Sequence, residues 1–353
     1  MSATGTSNPE YVNARVRSRR AALFSEEDYR KLVRMGTGEI ARYMEESEYE
    51  TEMNALGARH SGVDLIEYAL NRNLAKHFHD LLEWADGELH QLIANYLRKF
   101  DAWNAKTAIR GVYSGASPEE IETDYIRAGE FDDMLLEAMA TAGSVEEVVE
   151  LLADTGFEEG LEDAFEEFED RDVLVPLENV LDKTFYENLL GDVSTVRVNN
   201  NTPKGLYIEV LQAEIDFRNV RNALRLSRTG TDLDPEEYYI EGGKLFDSGE
   251  LRQLVGSFDD LVERIRESTY GDDLSNALAE LDEAESLIQF EQALDSALLE
   301  YSDALSYTYP ISICSALSYI LAKEREIENI RAIARGREVG LSVQEIEEEL
   351  VVT

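Results

Sequence analysis

The sequence is poor in cysteine, proline, histidine and lysine, and each shortage excludes something. Its one cysteine, Cys314, excludes an intrachain disulfide framework and points to a reducing compartment. Six prolines in 353 residues leave long stretches free to be helical. The four histidines are His60, His77, His79 and His90, and no HExxH occurs. His77 and His79 stand two apart, so on a helix they face different sides, and no zinc site is expected. With one thiol and no histidine pair near it, nucleophilic cysteine chemistry has no activating base. No G-x-x-x-x-G-K-[ST] loop exists. "GTGEIA" at 36–41 has the form of a dinucleotide fingerprint, but it follows the helical "EEDYRKLVRM" rather than a strand and reads as a helix-to-helix turn. "MSATGTSNPEY" carries no apolar run, so no signal peptide is expected.

Basic residues are also scarce: 33 against 74 acids, of which only 8 are Lys, for a net charge of −41. A body this negative repels phosphate backbones, which excludes nucleic acid as a partner. It also repels itself, unless molar salt shrinks the screening length to about 3 Å. The acids are spread along the chain rather than gathered in a tail. That favours a halophilic source over an acidic scaffold for basic proteins. The exception is "ARVRSRR", with Arg15, Arg17, Arg19 and Arg20, read either as locally paired or as an interface for an acidic partner or anionic surface. A charge-free run from Ala304 to Ala322 has membrane-spanning length. Its Ser, Tyr and Pro residues favour a buried core helix starting near Pro310.

What is abundant is helical periodicity, and it repeats. Leu89, Leu92, Ile93, Tyr96, Leu97 and Phe100 trace one helical face, as do Leu70, Leu74 and Phe78. An acid, an Asn three later and an Arg nine later occur three times: Asp101, Asn104, Arg110; Asp216, Asn219, Arg225; Glu326, Asn329, Arg335. Ahead of each set lies an aromatic-led segment, at Phe24, Phe131 and Phe246, separated from the motif acid by 77, 85 and 80 residues. Proline–acid pairs at Pro9, Pro118 and Pro235 are read as the openings of three helical units. The pattern implies internal triplication, with units at 1–115, 116–230 and 231–353. "NNNTPKG" at 199–205 is the clearest loop, and "VSTVRV" before it is a possible short strand without a partner. The expected fold class is all-α, with three small helical bundles in series.

At about 100° per residue, Asn104 lies about 60° from Asp101 and Arg110 about 180° from it. One helix therefore cannot bring the three together. The acid and Asn address one neighbour and the Arg another, as expected of residues that tie a helix into its unit. The alternative is a soluble helical-repeat ligand-binding protein or enzyme that uses the three sets. No catalytic, cofactor-binding or metal-binding residue is singled out.

Three stretches carry a family resemblance: "YVNARVRSRRAALFSEEDYRKL", "LDKTFYENLL" and "EIENIRAIARGREVGLSVQEIEEEL". Over essentially the whole chain they resemble the C subunit of archaeal A-type ATP synthases and the related d subunit of vacuolar-type ATPases. The resemblance implies a funnel of three related domains around a pseudo-threefold axis. It implies a non-catalytic central-stalk subunit, one copy per complex, joining the soluble stalk to the membrane proteolipid ring for proton-gradient-driven ATP synthesis. It places the protein at the cell membrane, peripheral on the cytoplasmic side and not inserted. Ala75 stands where the other units have Asp182 and Asp295, a departure from a shared acid there.

Overall fold

Leu70, Leu74 and Phe78 are all buried on one long helix, as an apolar stripe of 3.6-residue period requires. A computed structural model of the protein describes residues 6–194, 202–229, 235–272, 274–275, 278–279 and 287–351. Among these residues the fold is all-α, with no strand. In chain order the helices are α1 (Pro9–Arg20), α2 (Glu26–Leu32), α3 (Thr37–Glu45), α4 (Glu50–Leu56), α5 (Gly62–Trp84), α6 (Gly87–Leu97), α7 (Lys99–Ser114), α8 (Pro118–Asp124) and α9 (Asp133–Ala140). They continue with α10 (Val145–Leu152), α11 (Leu161–Arg171), α12 (Val175–Ser194), α13 (Pro203–Thr229), α14 (Ser248–Leu254), α15 (Phe258–Arg266), α16 (Leu287–Thr308), α17 (Cys314–Val339) and α18 (Val343–Glu347).

The chain divides into two compact units. One is built from both chain ends, 1–93 with 264–353, and the other from 94–263. In the first, α17 is the spine, packed by α16, α5 and α1. Much of it is buried, through Leu317, Ile320, Ile327, Ile330 and Ile333 and also through the polar Lys323, Glu326 and Asn329. In the second, α7 is covered by α8, α9, α10 and α12, and α12 also packs on α11 and α13.

The helix starts are encoded locally. Ser25, Asp132 and Asp247 each follow an aromatic and cap α2, α9 and α14 by accepting from the backbone N–H three residues on. A break follows each, and α3, α10 and α15 then begin at Thr37, Val145 and Phe258. Only Gly36 of "GTGEIA" lies in the turn, as the cap of α3, and residues 37–41 are already helical.

Four local expectations need correction. Pro9 and Pro118 do occupy first helical positions, but Pro235 opens a turn over 235–238 and no helix. The charge-free run belongs to two helices: α16 ends at Thr308 and α17 starts at Cys314, so no helix starts at Pro310. Proline and serine at 310–312 break the run, and no helix among the described residues is long and apolar enough to cross a membrane. The apolar face from Leu89 to Phe100 is buried throughout, yet it runs over two helices that part at Arg98. Val193 and Ser194, the start of the possible strand, are the end of α12, and 195–201 lie outside the described residues.

Candidate functional site: a clasp repeated three times

The repeated acid and Asn on each motif helix hold a piece of backbone. On α7, Asp101 accepts from the N–H groups of Glu130 and Phe131, both at 2.9 Å. Asn104 donates to the Ile126 carbonyl at 2.9 Å and accepts from the Ile126 N–H at 2.8 Å. On α13, Asp216 accepts from Lys244 N–H at 2.8 Å and Leu245 N–H at 2.9 Å. Asn219 makes the same two-way pair with Ile240, at 2.9 and 3.0 Å. On α17, Asn329 pairs with Val351 at 2.7 and 3.0 Å. Each Asn thus satisfies one buried carbonyl and one buried N–H, the groups most costly to leave alone.

Small residues make room for the carboxylates. A Cβ on Gly129 or Gly243 would collide with the carboxylate of Asp101 or Asp216. The third clasp differs. Glu326 accepts from Phe24 N–H at 2.5 Å, Tyr49 Oη at 2.6 Å and Lys323 Nζ at 2.6 Å. Lys323 also donates to Tyr49 Oη at 2.9 Å. It is fully buried, and burial pulls its ammonium down while Glu326 holds it up. Phe24, far back along the chain, fills the place that Phe131 takes for Asp101.

This geometry resets the repeat. A shift of 225 residues carries Asp101, Asn104 and Arg110 onto Glu326, Asn329 and Arg335, and Ile126 onto Val351. The same shift carries the left-handed helix ends Gly115 and Gly340 (φ 75° and 84°) onto one another. It also matches the capping boxes Ser117–Glu120 and Ser342–Glu345 that open α8 and α18. The counterpart of Pro118 is therefore Val343, not Pro9. The matching texts "RGVYSGASPEEIE" and "RGREVGLSVQEIE" were the sequence signal for it.

The motif arginines point elsewhere, as their helical angle requires. Arg110 makes a two-bond fork with Glu178 of α12, both at 2.6 Å. Arg335 does the same with Glu67 of α5, one bond being 2.9 Å. Arg225 lines a cleft that Arg110 also lines. The four arginines of α1 divide. Arg19 reaches Asp80 and His77, and Arg20 reaches Asp303 and Ser318. Arg15 lies over Tyr11 and Trp84, at 4.7 and 5.0 Å from the ring centres, and Arg17 is exposed. Half of the basic island is therefore locally paired. Asp182 is held by Lys106 and Asp295 by Arg325, while Ala75 is buried.

Sequence reasoning missed the buried Lys323–Tyr49 pair and the ties of His77. That histidine is 2% exposed. Arg19 can only donate, so His77 Nε2 accepts at 2.9 Å and Nδ1–H faces Tyr319 Oη at 2.5 Å. Burial, with Lys323, Arg19 and Lys76 nearby, drives its pKa down to about 2. Among the described residues no group of three or more His, Cys, Asp and Glu is placed to hold a metal.

Asp101, Asp216 and Glu326 are 1%, 0% and 3% exposed. Bonded to the chain's own donors and shut from water, they fasten helices to neighbouring backbone. Fold and site together define an all-helical repeat protein whose shared polar residues serve its architecture. The match to known proteins is end to end. Residues 12–349 fit the ATP synthase (C/AC39) subunit family, and the chain belongs to it. It is 64% identical over 352 residues to the C subunit of the A-type ATP synthase of Haloferax volcanii, covering all of both chains. It is 59% identical over 353 residues to that of Halorubrum lacusprofundi, again covering both chains fully. To that of Methanococcoides burtonii it is 35% identical, covering 98% of this chain and 95% of the relative.

Proposed function

We propose that the protein is a non-catalytic central-stalk subunit of a rotary A-type ATP synthase, coupling the soluble stalk to the membrane proteolipid ring during proton-driven ATP synthesis. The end-to-end identity with the Haloferax volcanii synthase protein carries this reading. A coupler transmits torque, so it needs a stiff body rather than a nucleophile. The clasps supply stiffness by fixing loops to helices through paired buried hydrogen bonds. In this reading three pseudo-equivalent helical units, each carrying one clasp helix, form a funnel. One copy joins a hetero-oligomer, peripheral to the cell membrane on its cytoplasmic side. Arg15 and Arg17, which have no carboxylate partner among the described residues, form an interface with another protein of the complex.

Affinity capture of the tagged protein from membranes gently solubilised in molar salt, with mass spectrometry, tests this. Stoichiometric stalk and proteolipid subunits are the expected result, and recovery of the protein alone in the soluble fraction overturns it. Charge reversal at Arg15 and Arg17 is expected to weaken assembly. Unchanged assembly across salt concentrations removes the basic helix from the interface.

A further inference from the structure

The clasps account for buried polar groups but not for the loop that joins α16 to α17. Tyr307, where the loop begins, is 89% exposed, more than any other large hydrophobic side chain among the described residues. Ile311, four residues on, is 58% exposed. Ala304, Thr308 and Pro310 are exposed with them. The loop opens the charge-free run from Ala304 to Ala322, in a chain where 30% of residues are charged. From Ile313 on, that run is mostly buried and excludes charge because it is core. Its exposed part has no such reason. A single exposed apolar residue is ordinary, but two on an exposed, uncharged loop mark a contact surface.

The loop is braced. Asn13 of α1, itself buried, donates to the Pro310 carbonyl at 2.9 Å. Ser312 Oγ donates to the Tyr309 carbonyl at 2.6 Å and accepts from the Cys314 N–H at 3.2 Å. Side chains on a braced loop lose little freedom on binding, which favours association. Helix α1 lies alongside. Asn13 meets Pro310 and Arg20 meets Asp303, so α1 runs antiparallel to 303–310. Arg17, about 40° round the helix from Asn13, falls between these two ties, beside the turn that carries Tyr307. It is exposed, with no carboxylate partner among the described residues. Glu10, two residues into α1, is the acid on this side of the helix. The surface is an apolar knob with an arginine beside it. Molar salt confines charge effects to about 3 Å, whereas burial of apolar surface is not screened.

We propose that this knob seats in an apolar recess on another protein of the complex, with a carboxylate at the rim of the recess meeting Arg17. The inference rests on the coupling reading and extends the α1 interface from Arg15 and Arg17 onto Tyr307 and Ile311. A lipid surface fits the loop less well, since anionic headgroups repel a body of net charge −41 that brings one arginine to the contact.

The test is capture of the assembled complex from native membranes in molar potassium chloride, with a benzophenone amino acid in place of Tyr307. Irradiation is expected to give an adduct with one protein of the complex, at a peptide rich in apolar residues and carrying Asp or Glu. The double substitution Tyr307→Ser/Ile311→Ser should lower recovery of that protein at least tenfold, with circular dichroism unchanged because both side chains are exposed. Arg17→Gln should lower it less, since screening leaves a single contact pair. If the double variant does not fold, the adduct alone carries the test. An adduct on lipid, or none, overturns the inference, as does full recovery of the complex with a folded double variant. In each of these outcomes the unsubstituted protein still brings down the complex, and the coupling reading stands. Recovery of the unsubstituted protein alone overturns both.

Discussion

In the 94–263 unit the motif acids close on chain 28 to 30 residues away, whereas in the unit built from both ends Glu326 closes on Phe24, 302 residues away. The short closures use an Asp, a glycine and two backbone N–H groups. The long one uses a Glu, one backbone N–H, a tyrosine and a buried lysine, and Ala22 stands where Gly129 would be. A tenfold longer loop costs about 2 kcal/mol more to close. The short closures meet their cost with two carboxylate–N–H bonds, while the long one has a single backbone N–H. The bonds from Lys323 and Tyr49 to Glu326 add further charge-assisted contacts of about 1.5–3 kcal/mol each. The lysine and tyrosine are thus expected where the closure is longest.

The comparison breaks most directly at Glu326. Glu326→Ala strands Lys323 as a buried charge and should cost about 3–5 kcal/mol, read by thermal unfolding in molar salt. Glu326→Ala/Lys323→Met should recover much of that loss. Asp101→Ala strands two N–H groups and no charge, and should cost about 2–3 kcal/mol. If Asp101→Ala proves the costlier, the long closure is not the more heavily built one.

The Asn ties should not distinguish the two regions. Asn104→Ala and Asn329→Ala each orphan one carbonyl and one N–H, so both should lose about 1–3 kcal/mol, measured by the same unfolding. A gap of several kcal/mol between them would show that the two clasps differ in more than their acid. The small residue is a finer probe. Gly129→Ala drives a methyl into the Asp101 carboxylate and should cost about 1–3 kcal/mol. Ala22→Gly removes a methyl that nothing needs absent, and should cost no more than about 1 kcal/mol of backbone entropy.

The helices and the clasp residues were legible because both depend on local spacing. The face of Leu70, Leu74 and Phe78 is a 3.6-residue pattern, and the 60° between Asp101 and Asn104 follows from helix geometry alone. The partners were not legible. Ile126, Ile240 and Val351 offer backbone, which carries no side-chain signature. The long closure was misread for a related reason. Pro9 and Pro118 give the same local signal for a helix start, yet only the distant match of Ser117–Glu120 to Ser342–Glu345 gives their true register.

Acid offers a further test, and one in which the two regions should move in opposite directions. His77 lies in the unit built from both ends, with its pKa down at about 2. Its folded form resists a proton that the unfolded chain accepts near 6.5. Stability is therefore full above that value and falls as pH drops, by about 2 kcal/mol between pH 7 and 5. Asp101 lies in the other unit, with burial raising its pKa to about 6 despite the bonds from Glu130 and Phe131. Here the folded form takes the proton first, so lowering pH from 7 to 5 adds about 1 kcal/mol. The many surface acids titrate identically in any variant, so differences isolate each group. The unfolding free energy of wild type minus that of His77→Asn should fall across this interval, and wild type minus Asp101→Asn should rise. Parallel slopes would mean that the Asp101 bonds to backbone outweigh its burial, and that both units lose stability in acid.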